Sequence, residues 1–158
     1  MFAIRLVQLI ETHAESLSEG LLHRLKSSER SRELLLKLPP DEARKRAYEI
    51  YHNLSDWLVN KTESEIEERY IGLGVRRARQ GIPFSSFLWT ISATKEYLWE
   101  FLQRECMEEP IELLGEMELT HSLELFFDRV LYFAAIGYES VHRGDGERTF
   151  ESAAVGQK

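Results

Sequence analysis

Hydrophobic residues recur at steps of three and four along the first 26 residues, the period of one face of an α-helix. These residues are Ala3, Leu6, Ile10, Ala14, Leu17, Leu21 and Leu25. The pattern predicts a helix from Phe2 to about Lys26, with a break or kink at Gly20.

Shorter helices are predicted next, because helix-terminating residues follow closely. Ser27 and Ser28 can cap a second, leucine-rich helix, which Pro39-Pro40 ends since proline cannot continue a helix. A third helix starts at Asp41 and carries a single apolar stripe. The stripe consists of Ala43, Ala47, Ile50, Leu54, Trp57 and Leu58.

Clear end signals bound the fourth and fifth helices. Thr62 and Glu65 match a capping box, and Gly81 is placed to end the fourth helix, after Gln80, in a left-handed conformation. A fifth helix opens at Ile82-Pro83. Its apolar face contains Phe84, Phe87, Leu88, Ile91, Leu98, Phe101 and Leu102.

The last predicted helix is the most apolar. Pro110 suits its first turn, and the helix runs to about Val141. The segment Leu123–Tyr138 is apolar nearly all round, which is typical of a helix buried in a core or an interface. We therefore expect a dimer interface that includes Phe126, Phe127, Leu131 and Phe133.

These patterns together predict an all-α fold. The chain shows no strand pattern, and long helices with short connections favour a single-domain bundle of about six helices, packed either simply or in a globin-like way. Residues 1–142 form the expected domain, and residues 143–158 form a polar tail that we expect to be disordered.

Composition narrows the function classes. The 158 residues carry a net charge of −7 and a pI near 5.3, which argues against nucleic-acid binding because phosphate contacts need a basic surface. A single cysteine, Cys106, excludes an internal disulfide. The N-terminus lacks a signal-peptide pattern, and Val130–Tyr138 is too short for a bilayer span of roughly 20 residues. We expect a cytoplasmic protein that does not contact membranes.

A pair of Glu-x-x-His motifs is the most specific chemical pattern. Glu49 with His52, and Glu118 with His121, have the spacing of di-iron sites in ferritin-like bundles. His52, however, lies opposite the apolar stripe of its helix, whereas a metal ligand in a bundle must point into the core. We therefore expect no metal site and no enzymatic activity.

Three other residues are candidates for ligand binding. His13 and His121 each interrupt an apolar series, so each is either a core histidine with satisfied nitrogens or a residue lining an internal pocket. Arg77 lies on an apolar face, where its charge needs an anion. That anion is either a ligand or, as we favour, one of the many glutamates of the chain.

One stretch resembles a known family. The sequence GLGVRRARQGIP at residues 72–83, with Trp57-Leu58 upstream and Leu98–Phe101 downstream, resembles the N-terminal domain of RsbT co-antagonists of the RsbRD type. The segments Phe127–Tyr132 and Gly137-Tyr138 also fit, so that the resemblance extends from about Ile4 to Val141.

The resemblance implies a sensory input module of a stressosome protein or a histidine kinase. Related stressosome sensors have globin-like, haem-free domains that dimerise. It implies a homodimer that acts through a signalling protein partner or a further output domain, with no cofactor. In a globin-like fold the proximal histidine would lie on the helix Glu65–Gln80, which contains none. The alternative is a carrier or sensor of haem, metal or another ligand that uses the core histidines.

Overall fold

The computed structural model describes the backbone of residues 2–39, 41–106 and 113–155, and side chains within 5–39, 41–105 and 118–144. Every regular element in these ranges is helical, which confirms the predicted all-α class. The α-helices are α1 (Phe2–Thr12), α2 (Ala14–Ser27), α3 (Arg32–Lys37), α4 (Glu42–His52), α5 (Glu63–Arg79), α6 (Phe84–Cys106) and α7 (Leu113–Val155). A 3₁₀ turn, Glu29–Ser31, precedes α3, and a π-helical segment, Asp56–Asn60, follows α4.

Helix α7 lies at the centre of the packing. It packs most extensively on α5, and it also contacts α6, α1 and the π-helical segment, while α2 packs on α4 and α6. Apolar residues recur along α7 at the spacing of a helix face, and this face points inward. The buried members are Leu119, Leu123, Phe126, Phe127, Val130, Phe133, Ala134 and Tyr138.

The first predicted helix is interrupted at His13, and the predicted kink at Gly20 is wrong. His13 has φ −98° and ψ 14°, between α1 and α2. The Thr12 hydroxyl donates to Gln8 O at 2.7 Å, and His13 Nδ1 lies 2.9 Å from Leu9 O. Such bonds to carbonyls four residues back bend a helix, because they compete with its own ladder.

Gly20 instead allows a close helix contact. A Cβ atom at this position would lie 2.0 Å from the Tyr97 hydroxyl of α6, so the missing side chain leaves room for that ring. Arg24, one turn further along α2, places its guanidinium 4.7 Å from the Tyr97 ring and pairs with Glu100. Gly20 therefore makes room for the Tyr97 side chain between α2 and α6.

The predicted helix ends are largely confirmed. Thr62 and Glu65 form the complete capping box, and Gly81 has φ 71°, in the left-handed region that glycine enters without strain. Ser28 makes no side-chain cap bond. The buried Ser31 hydroxyl donates to Leu25 O at 2.6 Å instead, and so satisfies a carbonyl near the end of α2.

Helix α7 continues to Val155, beyond the end predicted near Val141. The expected role of Pro110 falls outside the described residues, and the division at residue 142 stays a prediction. Among the described residues, no helix combines the length and hydrophobicity that crossing a membrane requires.

Candidate functional site

The turn between α5 and α6 gathers contacts from several helices. In this turn, called the Gly81 turn (residues 77–83), Gly81 N–H donates to Ala78 O at 3.0 Å and Ile82 N–H donates to Arg77 O at 3.2 Å. These bonds close the end of α5. Lys37 Nζ, from α3, donates to Gly81 O at 2.6 Å.

Tyr138 joins the same turn to α7. It is a buried residue whose hydroxyl donates to Ile82 O, and its ring lies 4.8 Å from the Phe84 ring and 6.2 Å from the Phe87 ring. Burial raises the pKa of Tyr138, so the hydroxyl keeps its proton and remains a donor near neutral pH. The turn and α7 are therefore fixed to each other through one side chain.

We expect Tyr138→Phe to destabilise the domain by about 1–3 kcal/mol. The ring packing is retained, but the Ile82 carbonyl loses its donor in a buried setting. Urea denaturation followed by circular dichroism measures the change, with Tyr48→Phe as the matched control, because Tyr48 is partly exposed and its hydroxyl makes no hydrogen bond within the described residues. Equal stability of the two variants would contradict this role.

Arg77 is the buried charge of the Gly81 turn. Only 3% of the residue is exposed, and Nη1 donates to Glu42 Oε1 and to Gln80 Oε1, both at 2.9 Å. Burial lowers the pKa of Arg77, while the bond to Glu42 raises it. The structure confirms the preferred interpretation of Arg77 as one half of an ion pair with a glutamate of the same chain.

Arg77 belongs to a larger group of charges, the Arg77 cluster, which comprises Glu42, Arg46, Glu49, Arg69 and Arg77. Arg69 forms a close ion pair with Glu49 Oε2. Arg46 lies 3.9 Å from Glu42 and 3.5 Å from Glu49, and makes a hydrogen bond to neither within the described residues. Each carboxylate thus has a nearer cation than Arg46.

A cavity of about 60 Å³ lies beside this cluster, in the core between α2, α3, α4, α5, α6 and α7. Arg46, Tyr70 and Arg77 line it together with largely apolar side chains. The other lining residues include Leu25, Leu34, Ala43, Ala47, Ile50, Leu73, Phe87, Ile91, Phe127 and Val130. This is the site at which charge and an apolar void meet.

Two glycines allow α5 and α7 to cross in backbone contact next to the Gly81 turn. A Cβ atom on Gly74 would lie 2.1 Å from Ala134 O, and one on Gly137 would lie 2.0 Å from Ile71 O. A Cβ atom on Gly72, by contrast, would have no atom within 4 Å among the described residues, apart from the neighbouring backbone of its own helix. The crossing therefore depends on Gly74 and Gly137, one from each helix.

The predicted histidines do not lie at this site. His13 and His121 are both exposed, so the interpretation of either as a core histidine is wrong. Ala14 takes the inward position next to His13, and the core stripe of α7 runs through Leu119 and Leu123 rather than through His121. A ligand-binding role for either histidine stays a prediction.

The two Glu-x-x-His motifs do not converge. His52 is exposed, as its position on the helix predicted, and stacks on Tyr48 at 5.0 Å. Glu118 lines an open groove of about 330 Å³ between α1, the π-helical segment and α7. No group of three or more potential metal ligands occurs in the part of the chain that the structure describes.

The aromatic residues predicted to form a dimer interface lie inside the chain. Phe126, Phe127 and Phe133 are 4%, 1% and 6% exposed, and Leu131 packs half-buried against the core. The pattern of an all-round apolar helix is satisfied here by packing within one chain. The outward apolar residues of α7 are instead Leu125, Tyr132 and Ile136, which are 43%, 61% and 37% exposed.

Two polar contacts within the fold, one made by Tyr51 and one by Glu42, were not predicted from the sequence. Tyr51 is fully buried, and its hydroxyl donates to Thr94 O at 2.9 Å; the spacing of Ala47, Tyr51 and Leu54 could have revealed it. No local pattern marks Glu42 as the partner of Arg77, because the two residues are 35 positions apart.

The sequence of the chain matches the model of one known family. The model of the RsbT co-antagonist protein RsbRD N-terminal domain matches residues 15–149. No curated protein and no solved structure matches the chain significantly. The matched range contains the Gly81 turn, the Arg77 cluster and the α5–α7 crossing.

Proposed function

Because the chain belongs to the RsbRD N-terminal domain family, whose members are regulatory, sensory domains, we propose that it is a non-enzymatic signal-input domain. It dimerises and passes its signal to a signalling protein partner or to an output domain of the stressosome type. The family match over residues 15–149 is the observation that carries this proposal. We also propose a cytoplasmic location. A single cysteine cannot form an internal disulfide, and proteins without disulfides are typical of the cytoplasm.

Residues in the stretches that resemble the family support this proposal, because they hold helices together. Gly74, Arg77, Gly81 and Tyr138 position helices relative to one another, and each makes its contact within the fold. α7 contacts α1, α5, α6 and the π-helical segment, so a shift in the core changes the position of this helix. A signal-input domain needs such a coupling, because a change in its core must move the helix that contacts a partner.

The outer face of α7, defined by Leu125, Tyr132 and Ile136, is the surface that we propose for dimerisation. These residues follow one another at steps of seven and four, so they form one stripe along the helix. Arg129 and Glu139 lie on the same stripe. Two antiparallel copies of this face centred near residue 134 bring Tyr132 opposite Ile136, so the apolar centre of the stripe packs on itself. Arg129 then lies opposite Glu139, although within the chain Arg129 pairs with Glu63 and Glu139 pairs with Arg143.

We expect Tyr132→Glu to weaken the dimer by about tenfold or more, because a carboxylate replaces an aromatic side chain at the centre of the interface. Sedimentation-equilibrium ultracentrifugation over a range of concentrations measures the dissociation constant. The folded monomer is expected to survive, since 61% of Tyr132 is already exposed.

Thr120→Glu provides the matched control, because Thr120 is an exposed residue of α7 that lies away from the stripe. It introduces the same charge and is expected to leave the dissociation constant unchanged. A wild-type protein that remains monomeric at high concentration, or an equal effect of the two substitutions, would contradict dimerisation through this face.

A further inference from the structure

The Arg77 cluster carries one positive charge more than its carboxylates compensate. It contains three arginines, Arg46, Arg69 and Arg77, and two glutamates, Glu42 and Glu49. Arg77 bonds to Glu42 and Arg69 pairs closely with Glu49, so both carboxylates are occupied by other cations. Arg46 is therefore left with two long ion pairs, of 3.5 Å and 3.9 Å.

The position of this excess charge is what matters. Arg46 lines the cavity of about 60 Å³, and its side chain is 27% exposed. Ala43, Ile50 and Leu73, which also line the cavity, are likewise partly exposed, whereas Phe127 and most of the deeper lining is buried. The side of the cavity that approaches solvent thus carries a cation, and the interior is apolar.

A tyrosine side chain lies in the same wall. Tyr70 is 3% exposed and lines the cavity, and its hydroxyl makes no hydrogen bond within the described residues. Burial raises the pKa of Tyr70, so this group is a proton donor. The hydroxyl is not a fully buried atom without a partner, so it keeps some contact with solvent and is free to donate to a molecule bound in the cavity.

We propose that this cavity binds a short-chain monocarboxylate, with its alkyl chain among the apolar side chains and its carboxylate at Arg46 and Tyr70. A water occupies about 10–15 Å³ of such a volume, so the cavity accommodates about four to six non-hydrogen atoms. That range includes acetate, propionate and butyrate. The idea that the acid is the signal of the input domain rests on the function proposed above. The binding of the acid to the cavity does not.

The test is a titration of the full 158-residue chain with sodium acetate, propionate and butyrate at constant ionic strength. Methyl NMR signals of Ile91 and Val130, which line the cavity, report binding inside the core. We expect saturable shifts in the millimolar range, strongest for butyrate, because affinity grows with the number of buried atoms. Butyramide, which has nearly the same shape without the charge, is expected to bind about tenfold more weakly.

Two substitutions separate the charge from the space. Arg46→Gln is expected to weaken butyrate binding about tenfold or more, while Arg44→Gln, the same charge change on α4 away from the cavity, leaves it within about twofold. Ala43→Leu is expected to abolish binding of all three acids, because the larger side chain occupies the entrance. Circular dichroism of each variant verifies that the fold is retained.

Several results would overturn the proposal. These are the absence of saturable shifts at Ile91 and Val130, equal affinity for butyramide and butyrate, or unchanged affinity in Arg46→Gln. Oligomeric state, measured on the same samples, keeps the two proposals distinct. A dimer without butyrate shifts contradicts only the carboxylate site, and a monomer with these shifts supports the site while contradicting the dimer.

Discussion

Gly137→Ala is expected to destabilise the domain by about 3 kcal/mol or more, although it adds one methyl group and improves helix propensity. The added Cβ would lie 2.0 Å from Ile71 O, a backbone atom of α5 that cannot rotate away. The two helices must therefore move apart, and the packing along the largest helix contact of the described chain is lost. The free energy of unfolding from urea titration measures the effect.

Gly72→Ala is the matched control, since it makes the same chemical change on α5, where the new Cβ would contact only the backbone of its own helix among the described residues. It is expected to stabilise the domain by up to about 1 kcal/mol through helix propensity alone. Gly74→Ala should resemble Gly137→Ala, because its Cβ would lie 2.1 Å from Ala134 O. Equal stabilities of the Gly72 and Gly137 variants would contradict the close crossing of α5 and α7.

Glu42→Ala is expected to destabilise the domain by about 3–5 kcal/mol, because it leaves the charge of Arg77 buried beside Gln80 alone. Glu42→Gln keeps an acceptor for the guanidinium and should cost less. Glu67→Ala, which removes an exposed carboxylate from α5, is the control and should change stability by less than about 0.5 kcal/mol. Chemical denaturation monitored by fluorescence measures all three variants.

The double variant Glu42→Ala with Arg77→Met tests the pairing itself. If the two groups interact, removing both leaves neither charge buried, so the double variant is more stable than the sum of the single effects predicts. A strictly additive result would show that Glu42 stabilises the fold independently of Arg77.

The contacts of Gly137 and of Glu42 could not be predicted from the sequence. The family-like stretch at residues 72–83 includes Gly72, Gly74 and Arg77, and nothing local distinguishes the glycine that contacts α7 from the one that faces open space. Arg77 was expected to need an anion, but its partner comes from another helix. Long-range partners depend on how helices cross, which no local pattern encodes.

The histidines and aromatic residues illustrate the same limit from the other side. His121 lies four residues before Leu125, on the same face of α7. That face is the outer one, whereas Leu123 and Phe127 are buried in the core. On a helix with apolar residues on nearly every side, periodicity cannot select the buried face. The candidate dimer surface changed for this reason, from the buried phenylalanines to Leu125, Tyr132 and Ile136.

The sequence by itself determined the all-helical class, most helix positions, the capping box at Thr62 and the left-handed end at Gly81, because these depend on neighbours within one or two turns. Only the tertiary structure decided that Gly74 and Gly137 bring two helices into contact, that Glu42 neutralises Arg77, and that a cavity lies beside Arg46. Each of these results from side chains far apart in the chain meeting in a packed interior. Their positions are fixed by volume and charge in three dimensions, and not by spacing along the sequence.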